Sequence, residues 1–445
     1  MFNKIKIASL ANDLGIGGTA RQIITIDKYL DKDIFEHYII SLNSKDNARA
    51  KFLSNKNIFF VEKPEDVARI LEQEKINILY CHRHGRNQPE HDEVAKNLPP
   101  HIPLLELNTF SARDSGFFGK RCDKHIFVSM TNILKYVKQN SLKFDFRRLK
   151  VVYALIDSDN YKSHIDQKEI DEYRKKYDLD GYFVIGRLAR PVMGKWDDKM
   201  IIFWKKICKL NPKVKFLIYG VPEERRQLIR ESGLEKNLII FEPTLSDKDL
   251  VLFYSSIDAY VHASPIGECN CGAIAEAMLF KKPIIVTSTP FSRFTFGRSH
   301  TKDNGQVEQI ENYTNGYIVE SAEAMARAVD FLSKNPKIVE SMGDANQKEV
   351  AERYDASVGV KTLEKIFIES VMDKGVEIDN KIKEYFENSH FYPNEDFIKK
   401  WFVEYYKRVE DTYCKNCKDG FRDKIFYFKM ALKRKFNTLK TKLKI

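Results

Sequence analysis

Two glutamates near the middle of the chain have the spacing and surroundings of a site for a polar ligand. Glu268 lies in a loop of small and polar residues, and Glu276 follows eight positions later, inside a predicted helix. The N-terminus of that helix, at Gly272 and Ala273, offers unpaired backbone N–H groups and a partial positive charge, which suit a phosphate. The carboxylates can accept hydrogen bonds from sugar hydroxyls. An acidic helix cap followed by a solvated glutamate would leave the same pattern.

Two cations precede this loop in the sequence. The apolar run 182–186 predicts a buried strand, Arg187 follows it directly, and Lys195 comes shortly afterwards. A departing nucleoside diphosphate gains negative charge, which two such cations can stabilise. Ordinary surface charge is the alternative, but the carboxyl end of a strand in a parallel sheet is where ligands of α/β proteins bind.

A glycine pair near the start of the chain is the third candidate. Residues 4–10 alternate as a strand does, and Gly17 and Gly18 follow just before a helical pattern. Glycines allow the backbone to approach a phosphate closely, and the helix N-terminus supplies donors. A tight strand-to-helix connection without a ligand explains the same residues.

These motifs must be positioned by a chain of 445 residues, of which 43 % are hydrophobic, enough for two domains with buried cores. Strand and helix patterns alternate in two series. The predicted strands are residues 4–10, 35–41, 77–81, 103–107, 125–129 and 150–154, then 182–186, 213–219, 238–241, 259–262, 283–287 and 316–319. Two such series predict an α/β fold of two Rossmann-like domains with parallel sheets.

The predicted domains are residues 1–160 and 161–370, followed by a helical, aromatic and basic extension over 371–445. Residues 157–179 are rich in charge and poor in apolar side chains, so we interpret them as the linker between the first two.

The order of these motifs resembles glycosyl transferases group 1, the retaining glycosyltransferases of family 4 with the GT-B fold. Glu268 and Glu276 match its E-x7-E motif, in which the first glutamate faces the donor sugar and the second the nucleotide ribose. Arg187 and Lys195 match its Gly-Arg-Leu strand end and following lysine. Residues 17–19 resemble its Gly-Gly-Thr loop. The resemblance covers about residues 1–370.

The resemblance implies a hexosyltransferase-type enzyme that moves a sugar from a nucleotide-sugar donor to a hydroxyl of a glycan or lipid-linked acceptor, with retention, as in polysaccharide biosynthesis. The donor, such as a UDP- or GDP-sugar, would lie between the domains, and the first domain would face the acceptor. Arg187 and Lys195 would stabilise the leaving diphosphate, so neither a metal nor another cofactor is expected. Glu268 would position the sugar or stabilise an oxocarbenium-like transition state.

Two positions depart from the family pattern. Cys271 stands where many members have glycine, and residues 105–111 lack the histidine that members often carry there. Asn108 in that stretch can hydrogen-bond a sugar but cannot replace an imidazole as acid or base. His82 and His84 follow another predicted strand and are equally compatible with the cleft and with a surface position.

These departures keep other functions open. A catalytically inactive relative that binds nucleotide sugars or glycans is the main alternative, and a phosphorylase or epimerase of similar architecture is a weaker one. A nucleic-acid-binding protein that uses its basic tail is a third, although no nucleic-acid motif is recognised and no nucleic-acid partner is expected.

The basic tail carries most of the net charge of +11. From Phe421 to Ile445, nine lysines and arginines accompany one acid, Asp423, and apolar residues recur at helical spacing. A basic amphipathic helix of this kind suits an anionic membrane surface. Packing on the protein itself or on a second subunit is the alternative.

Cysteine use and the absence of a signal-peptide pattern predict a cytoplasmic protein, peripheral on the cytosolic face of a membrane. The seven cysteines are scattered. Cys414 and Cys417 have the spacing of zinc ligands, but no second pair accompanies them, so we predict no metal site.

Overall fold

The computed structural model describes residues 4–15, 17–43, 47–53, 56–140, 142, 144–244, 246–287 and 305–409. Its strands are β1 (Ile5–Ala11), β2 (Phe35–Ser41), β3 (Ile58–Phe60), β4 (Ile78–Arg83), β5 (Leu104–Asn108), β6 (Lys124–Phe127), β7 (Leu149–Val151), β8 (Phe183–Leu188), β9 (Val214–Tyr219), β10 (Leu238–Phe241), β11 (Ala259–His262), β12 (Ile284–Thr287) and β13 (Gly316–Val319).

The helices are α1 (Gly18–Tyr29), α2 (Glu65–Gln73), α3 (Pro89–Asn97), α4 (Phe117–Arg121), α5 (Met130–Gln139), α6 (Ser158–Ser163), α7 (Gln167–Lys176), α8 (Lys199–Leu210), α9 (Glu223–Glu231), α10 (Asp247–Ser256), α11 (Gly272–Leu279), α12 (Gly305–Glu308), α13 (Ala322–Lys334), α14 (Pro336–Glu349), α15 (Ala356–Met372), α16 (Asn380–Asn388) and α17 (Glu395–Val409).

The strands form two parallel sheets, in the orders β3-β2-β1-β4-β5-β6-β7 and β10-β9-β8-β11-β12-β13. The predicted fold class, two Rossmann-like domains with parallel sheets, is confirmed. Each sheet has a switch point where the strand order reverses, between β1 and β4 and between β8 and β11. Ligands of open α/β sheets bind at the carboxyl ends of the strands at such points.

Both faces of the first sheet are covered, as the alternation along β1 shows. Ile5 and Ile7 pack in a cluster with residues of α1 and α15, whereas Ala8 and Leu10 pack in a cluster with residues of α2 and α3. Successive side chains of a strand point to opposite faces, so a strand buried on both faces reads as a nearly continuous apolar run.

The chain crosses between the two domains twice, and the crossings run side by side. The backbone N–H of Ile156 donates to Tyr354 O (2.8 Å), and that of Ala356 donates to Ile156 O (2.9 Å). After the second crossing, α15 returns to the first sheet, where the Phe367 ring lies 5.4 Å from the Tyr80 ring. The predicted domain bounds stay a prediction.

The segment interpreted as a linker contains two helices. Asp157 caps α6 by accepting from Asn160 N–H, and Asp166 caps α7 by accepting from Lys168 and Glu169 N–H. Capping by aspartate explains how a charge-rich segment can be helical. The short strand β3 was not predicted.

The extension after α15 is helical as far as the structure describes it, which agrees with the prediction. Ile382 of α16 is buried against the first domain, and Ile398 of α17 is buried in a second cluster. The predicted amphipathic helix Phe421–Ile445, with Cys414 and Cys417, lies outside the described residues. Among the residues described, no helix is both long and apolar enough to cross a membrane.

Candidate functional site

The loop after β11 places Glu268 at the centre of a buried polar cluster. Glu268 Oε2 accepts a hydrogen bond from Lys195 Nζ (2.5 Å), and Oε1 lies 3.1 Å from His262 Nε2. Its backbone N–H donates to Gln306 Oε1 (2.9 Å). Burial acts to raise the pKa of Glu268, but the bonds from His262 and Lys195 outweigh it and hold the pKa below its usual value. Glu268 is therefore an ionised carboxylate held in one orientation.

Arg187 lies at the carboxyl end of β8, at the switch point of the second sheet. Its side chain is 1 % exposed, and its guanidinium lies over the Trp196 ring, 5.0 Å from the centroid. Nη2 donates to Lys195 O (2.6 Å), whereas Nε and Nη1 have no hydrogen-bond partner among the residues described. Burial lowers its pKa. Two buried donors of a guanidinium therefore remain to be satisfied.

The second glutamate of the motif is held from both domains. Glu276 Oε2 accepts from Tyr254 OH (2.8 Å), and Oε1 accepts from Arg21 Nη1 (3.3 Å). Arg21 lies in the first turns of α1, just after Gly17 and Gly18, and also pairs with Asp247. The glycine loop and the E-x7-E helix therefore face each other across the interdomain cleft.

The three predicted glycines have open space beside the backbone. Gly17 has an extended φ of −162°, and a Cβ on Gly17, Gly18 or Gly272 would meet no atom within 4 Å. Neither strain nor crowding requires glycine here, but open space beside the backbone leaves it accessible to a ligand. Gly272 and Ala273 form the first turn of α11, as predicted, after Cys271 at the N-cap position.

The E-x7-E loop also contacts the first domain directly. Ser129 Oγ donates to Cys269 O (2.7 Å), and Asn270 Nδ2 donates to Val128 O (3.0 Å). Glu308 accepts from the backbone N–H groups of Met130 (3.0 Å) and Thr131 (2.8 Å), at the N-terminus of α5. The carboxyl ends of β6 and β11 therefore meet in the cleft.

The two histidines considered for the cleft have different environments. His82 is buried beside the Tyr80 ring, and burial lowers its pKa to about 3, so it is neutral. His84 is partly buried, and its Nδ1 accepts from Arg86 N–H (3.1 Å). Asn108 is bonded locally, through Nδ2, to Glu106 Oε1 and Ala112 O.

Buried ionic contacts fix the loops that follow β4 and β5. Arg83 Nη2 donates to Asp114 Oδ2 (2.7 Å), Arg83 Nη1 lies 3.5 Å from Glu106 Oε2, and Glu106 Oε1 lies 2.6 Å from His125 Nδ1. Breaking such a network by removing one partner leaves a buried charge unpaired, which is costly. The first-domain side of the cleft is therefore held rigidly.

Sequence reasoning did not assign the residues that contact the two predicted glutamates: Arg21 and Tyr254 at Glu276, and His262 and Gln306 at Glu268. His262 had a recognisable signal, because it ends the strand before the Glu268 loop. Arg21 follows the glycine pair by less than one turn. The other partners come from separate elements, and only the tertiary structure brings them to the motif.

One group near Glu268 has the composition of a metal site. Potential ligand atoms of His262, Glu268 and Cys271 lie within 4.8 Å of one another. Lys195 Nζ lies 2.5 Å from the same carboxylate, and Arg187 is buried near it. Burial raises the pKa of the Cys271 thiol, which disfavours the thiolate that a metal would bind. Two neighbouring cations oppose the binding of a third. A second group, Glu106, Cys122 and His125, shares its carboxylate with Arg83.

Residues 169–349 match the family model described as glycosyl transferases group 1. The second domain is therefore similar to glycosyl transferases group 1. This match contains Arg187, Lys195, Glu268 and Glu276, so it confirms the resemblance inferred from those motifs. No curated protein matches the chain.

Solved structures extend the likeness to both domains. A glycosyltransferase from Rickettsia africae matches with a TM-score of 0.66 and 18 % identity, over 83 % of this chain and 99 % of its own. Anabaena Alr3699/HepE, in complex with UDP, matches with a TM-score of 0.63 and 16 % identity over 81 % and 98 %. The lipopolysaccharide outer core galactosyltransferase WaaB, in its apo form, gives 0.57 and 14 % over 83 % and 100 %. At these identities the likeness shows the fold, GT-B.

Because the pKa of Glu268 is depressed in the folded protein, we predict that its contribution to the free energy of unfolding depends on pH. A carboxylate whose folded pKa is depressed contributes stability above its unfolded pKa and loses it as the pH falls through the folded value. We expect Glu268→Gln to lower the free energy of unfolding by about 3 kcal/mol at neutral pH, because the partly buried Lys195 loses its charge partner. At a pH below 4.5, the ordinary pKa of a glutamate, the loss should be smaller, because the unfolded chain takes up a proton there more readily than the native protein with its depressed pKa.

Urea unfolding followed by tryptophan fluorescence measures this difference, because Trp196 and Trp204 lie in the second domain. The exposed Glu340→Gln in α14 serves as a matched control and should change stability by less than about 0.5 kcal/mol at either pH. An equal loss for Glu268→Gln at both pH values would contradict the account.

Proposed function

We propose that the protein is a retaining, metal-independent glycosyltransferase that transfers a sugar from a nucleotide-sugar donor to a hydroxyl of a glycan or lipid-linked acceptor. The observation that carries the proposal is the buried guanidinium of Arg187 near Lys195 and Glu268, whose Nε and Nη1 nitrogens have no hydrogen-bond partner among the residues described. A diphosphate oxygen is the natural acceptor for such donors. The family match of the second domain supports the same reaction class.

The donor diphosphate would bind between Arg187 and Lys195 on one side and the N-termini of α1 and α11 on the other. Helix N-termini supply backbone N–H donors to phosphates, and Gly17, Gly18, Gly272 and Ala273 are placed at those two termini. Glu276 would accept hydrogen bonds from the ribose hydroxyls. The solved complex of Alr3699/HepE with UDP supports a nucleotide of this kind.

Departure of the nucleoside diphosphate would be assisted by charge. As the glycosidic bond breaks, negative charge grows on the leaving phosphate, and two preorganised cations stabilise that charge more than they stabilise the intact donor. Lys195 is paired with Glu268 in the structure, so the phosphate would compete with that carboxylate for its ammonium. A metal is not needed for this neutralisation, because Arg187 and Lys195 supply it.

Retention of configuration would follow from front-face attack by the acceptor hydroxyl. In this route the leaving phosphate itself takes the acceptor proton, and no covalent glycosyl intermediate forms. Glu268, ionised and fixed by His262 and Lys195, would position the sugar and stabilise positive charge at its anomeric carbon. The acceptor would enter from the first domain, past the loops that Arg83 holds.

A donor screen tests this proposal. Thermal unfolding is followed by fluorimetry with UDP, GDP, ADP and their common sugars, for wild type, Arg187→Ala and Glu276→Ala. We expect one nucleotide to raise the melting temperature of the wild type and both substitutions to abolish the shift, because each removes a direct contact. Arg69→Ala, an arginine on the exposed face of α2 with a surface partner at Asp66, is the control that should keep the shift.

The donor found in the screen is then used in transfer assays with added EDTA, and proton NMR reports the anomer of the product. A retained anomer without metal supports the proposed reaction. Binding without transfer or hydrolysis favours a catalytically inactive sugar-binding relative. An inverted anomer, or no nucleotide that binds, would overturn the assignment.

We also propose peripheral association with an anionic membrane through Phe421–Ile445, on the basis of its charge and apolar periodicity alone. Deleting this segment should abolish binding to vesicles of phosphatidylglycerol and leave donor hydrolysis in solution unchanged. Sedimentation with vesicles measures the first and a nucleotide-release assay the second. Equal vesicle binding by both proteins, or loss of RNA binding in place of vesicle binding, would contradict a membrane role.

A further inference from the structure

Arg21 joins the two domains at the centre of the cleft. It lies on α1 in the first domain, and its two terminal nitrogens pair with different residues of the second: Nη1 with Glu276 on α11 (3.3 Å) and Nη2 with Asp247 on α10. The guanidinium also lies over the ring of Tyr161, 5.2 Å from its centroid. A planar guanidinium can bridge two carboxylates in this way, whereas an ammonium acts as a single point of charge.

These contacts are sheltered from solvent. The side chain of Arg21 is 24 % exposed, that of Glu276 10 % and that of Asp247 28 %. Exposed ion pairs contribute little, but a partly buried arginine shared by two carboxylates is screened less and holds its partners in defined orientations. The bridge therefore fixes the rotamer of Glu276.

The bridge continues into the first interdomain crossing. Asp247 Oδ2 accepts from Asn160 Nδ2 (2.7 Å), and Asn160 N–H donates to Asp157 Oδ1 (3.1 Å). Asp157 in turn accepts from Lys28 Nζ (2.8 Å), which lies two turns beyond Arg21 on α1. Lys28, near the end of α1, therefore contacts the segment that connects the domains directly, and Arg21, near its start, contacts that segment through Asp247.

We propose that Arg21 is a positioning residue for donor binding, which orients Glu276 from the opposite domain and keeps the two domains closed over the nucleotide. This inference rests on the proposed function. Each carboxylate oxygen of Glu276 accepts one bond in the structure, from Arg21 or Tyr254, and each can accept a second. A ribose hydroxyl can therefore bind Glu276 without displacing Arg21, so donor recognition and domain closure share one side chain.

Titration calorimetry with the nucleoside diphosphate identified by the screen tests the inference. We expect Arg21→Ala to weaken binding by about tenfold or more, since Glu276 is no longer held and the closed state is less populated. Arg21→Lys should be intermediate, because a single ammonium nitrogen lacks the two separated nitrogens with which the guanidinium reaches Glu276 and Asp247. Arg69→Ala is the matched control and should bind as the wild type does. Binding by Arg21→Ala within twofold of the wild type would overturn the inference.

A double substitution separates positioning from direct contact. If Arg21 acts through Glu276, then Arg21→Ala should weaken binding little further in a Glu276→Gln background. Fully additive losses would show that Arg21 acts independently of Glu276 and would overturn the positioning role. Should Arg21→Ala fail to fold by circular dichroism, Arg21→Lys and Asp247→Asn carry the same comparison.

Small-angle scattering without nucleotide gives a readout that does not depend on the proposed function. We expect a larger radius of gyration for Arg21→Ala than for wild type, because a cross-domain bridge is lost. If no nucleotide binds the wild type, the proposed function fails. Independently of that result, identical radii of gyration for Arg21→Ala and wild type would overturn the role of Arg21 in keeping the domains closed.

Discussion

The buried guanidinium of Arg187 is the constraint around which the site is built. Placing charged donors out of water without partners costs several kcal/mol, so the surrounding structure must hold Arg187 in place. Lys195 O and the Trp196 ring hold it on one side, and the same turn brings Lys195 to Glu268. Because β8 adjoins β11 at the switch point, the cations and the E-x7-E loop emerge beside each other. An anion that enters this cleft satisfies groups that the protein leaves unsatisfied.

The second feature is that neither domain completes the site alone. Glu276 is oriented from the first domain by Arg21. Ser129 of the first domain donates to Cys269 O in the E-x7-E loop, and Asn270 of that loop donates to Val128 O. The two crossings at Ile156 and Ala356 run side by side, so they form one compact connection between the domains. A change in the angle between the domains at that connection would alter both sets of contacts together.

Sequence reasoning predicted the fold class, which is confirmed, and the site residues, which stay a prediction. Physical reasons explain which strands and helices it missed. The strands Phe35–Ser41, Leu238–Phe241 and Ala259–His262 were predicted with the bounds that the structure has, because apolar, aromatic and β-branched residues dominate each of them. The three-residue edge strand Ile58–Phe60 was missed because it is too short to show a pattern. Two helices were missed in the charged segment 157–179, where aspartate caps, not apolar periodicity, mark their starts.

The same distinction applies to the site. Glu268, Glu276, Arg187 and Lys195 belong to local motifs. In the structure Lys195 donates to Glu268, and Arg187 donates to the backbone carbonyl of Lys195. Arg21 could not be assigned, since its partners at Asp247 and Glu276 are more than two hundred residues away in sequence. Gln306, likewise, is joined to the motif only by folding, since it accepts from the Glu268 backbone N–H.

A crystal structure of the protein with the nucleoside diphosphate that it binds tests the central claim most directly. The account predicts that phosphate oxygens accept from Arg187 Nε and Nη1, that Lys195 Nζ turns from Glu268 toward the diphosphate, and that the ribose hydroxyls bind Glu276. A diphosphate bound elsewhere, with Arg187 still unpaired and Lys195 still on Glu268, would contradict it.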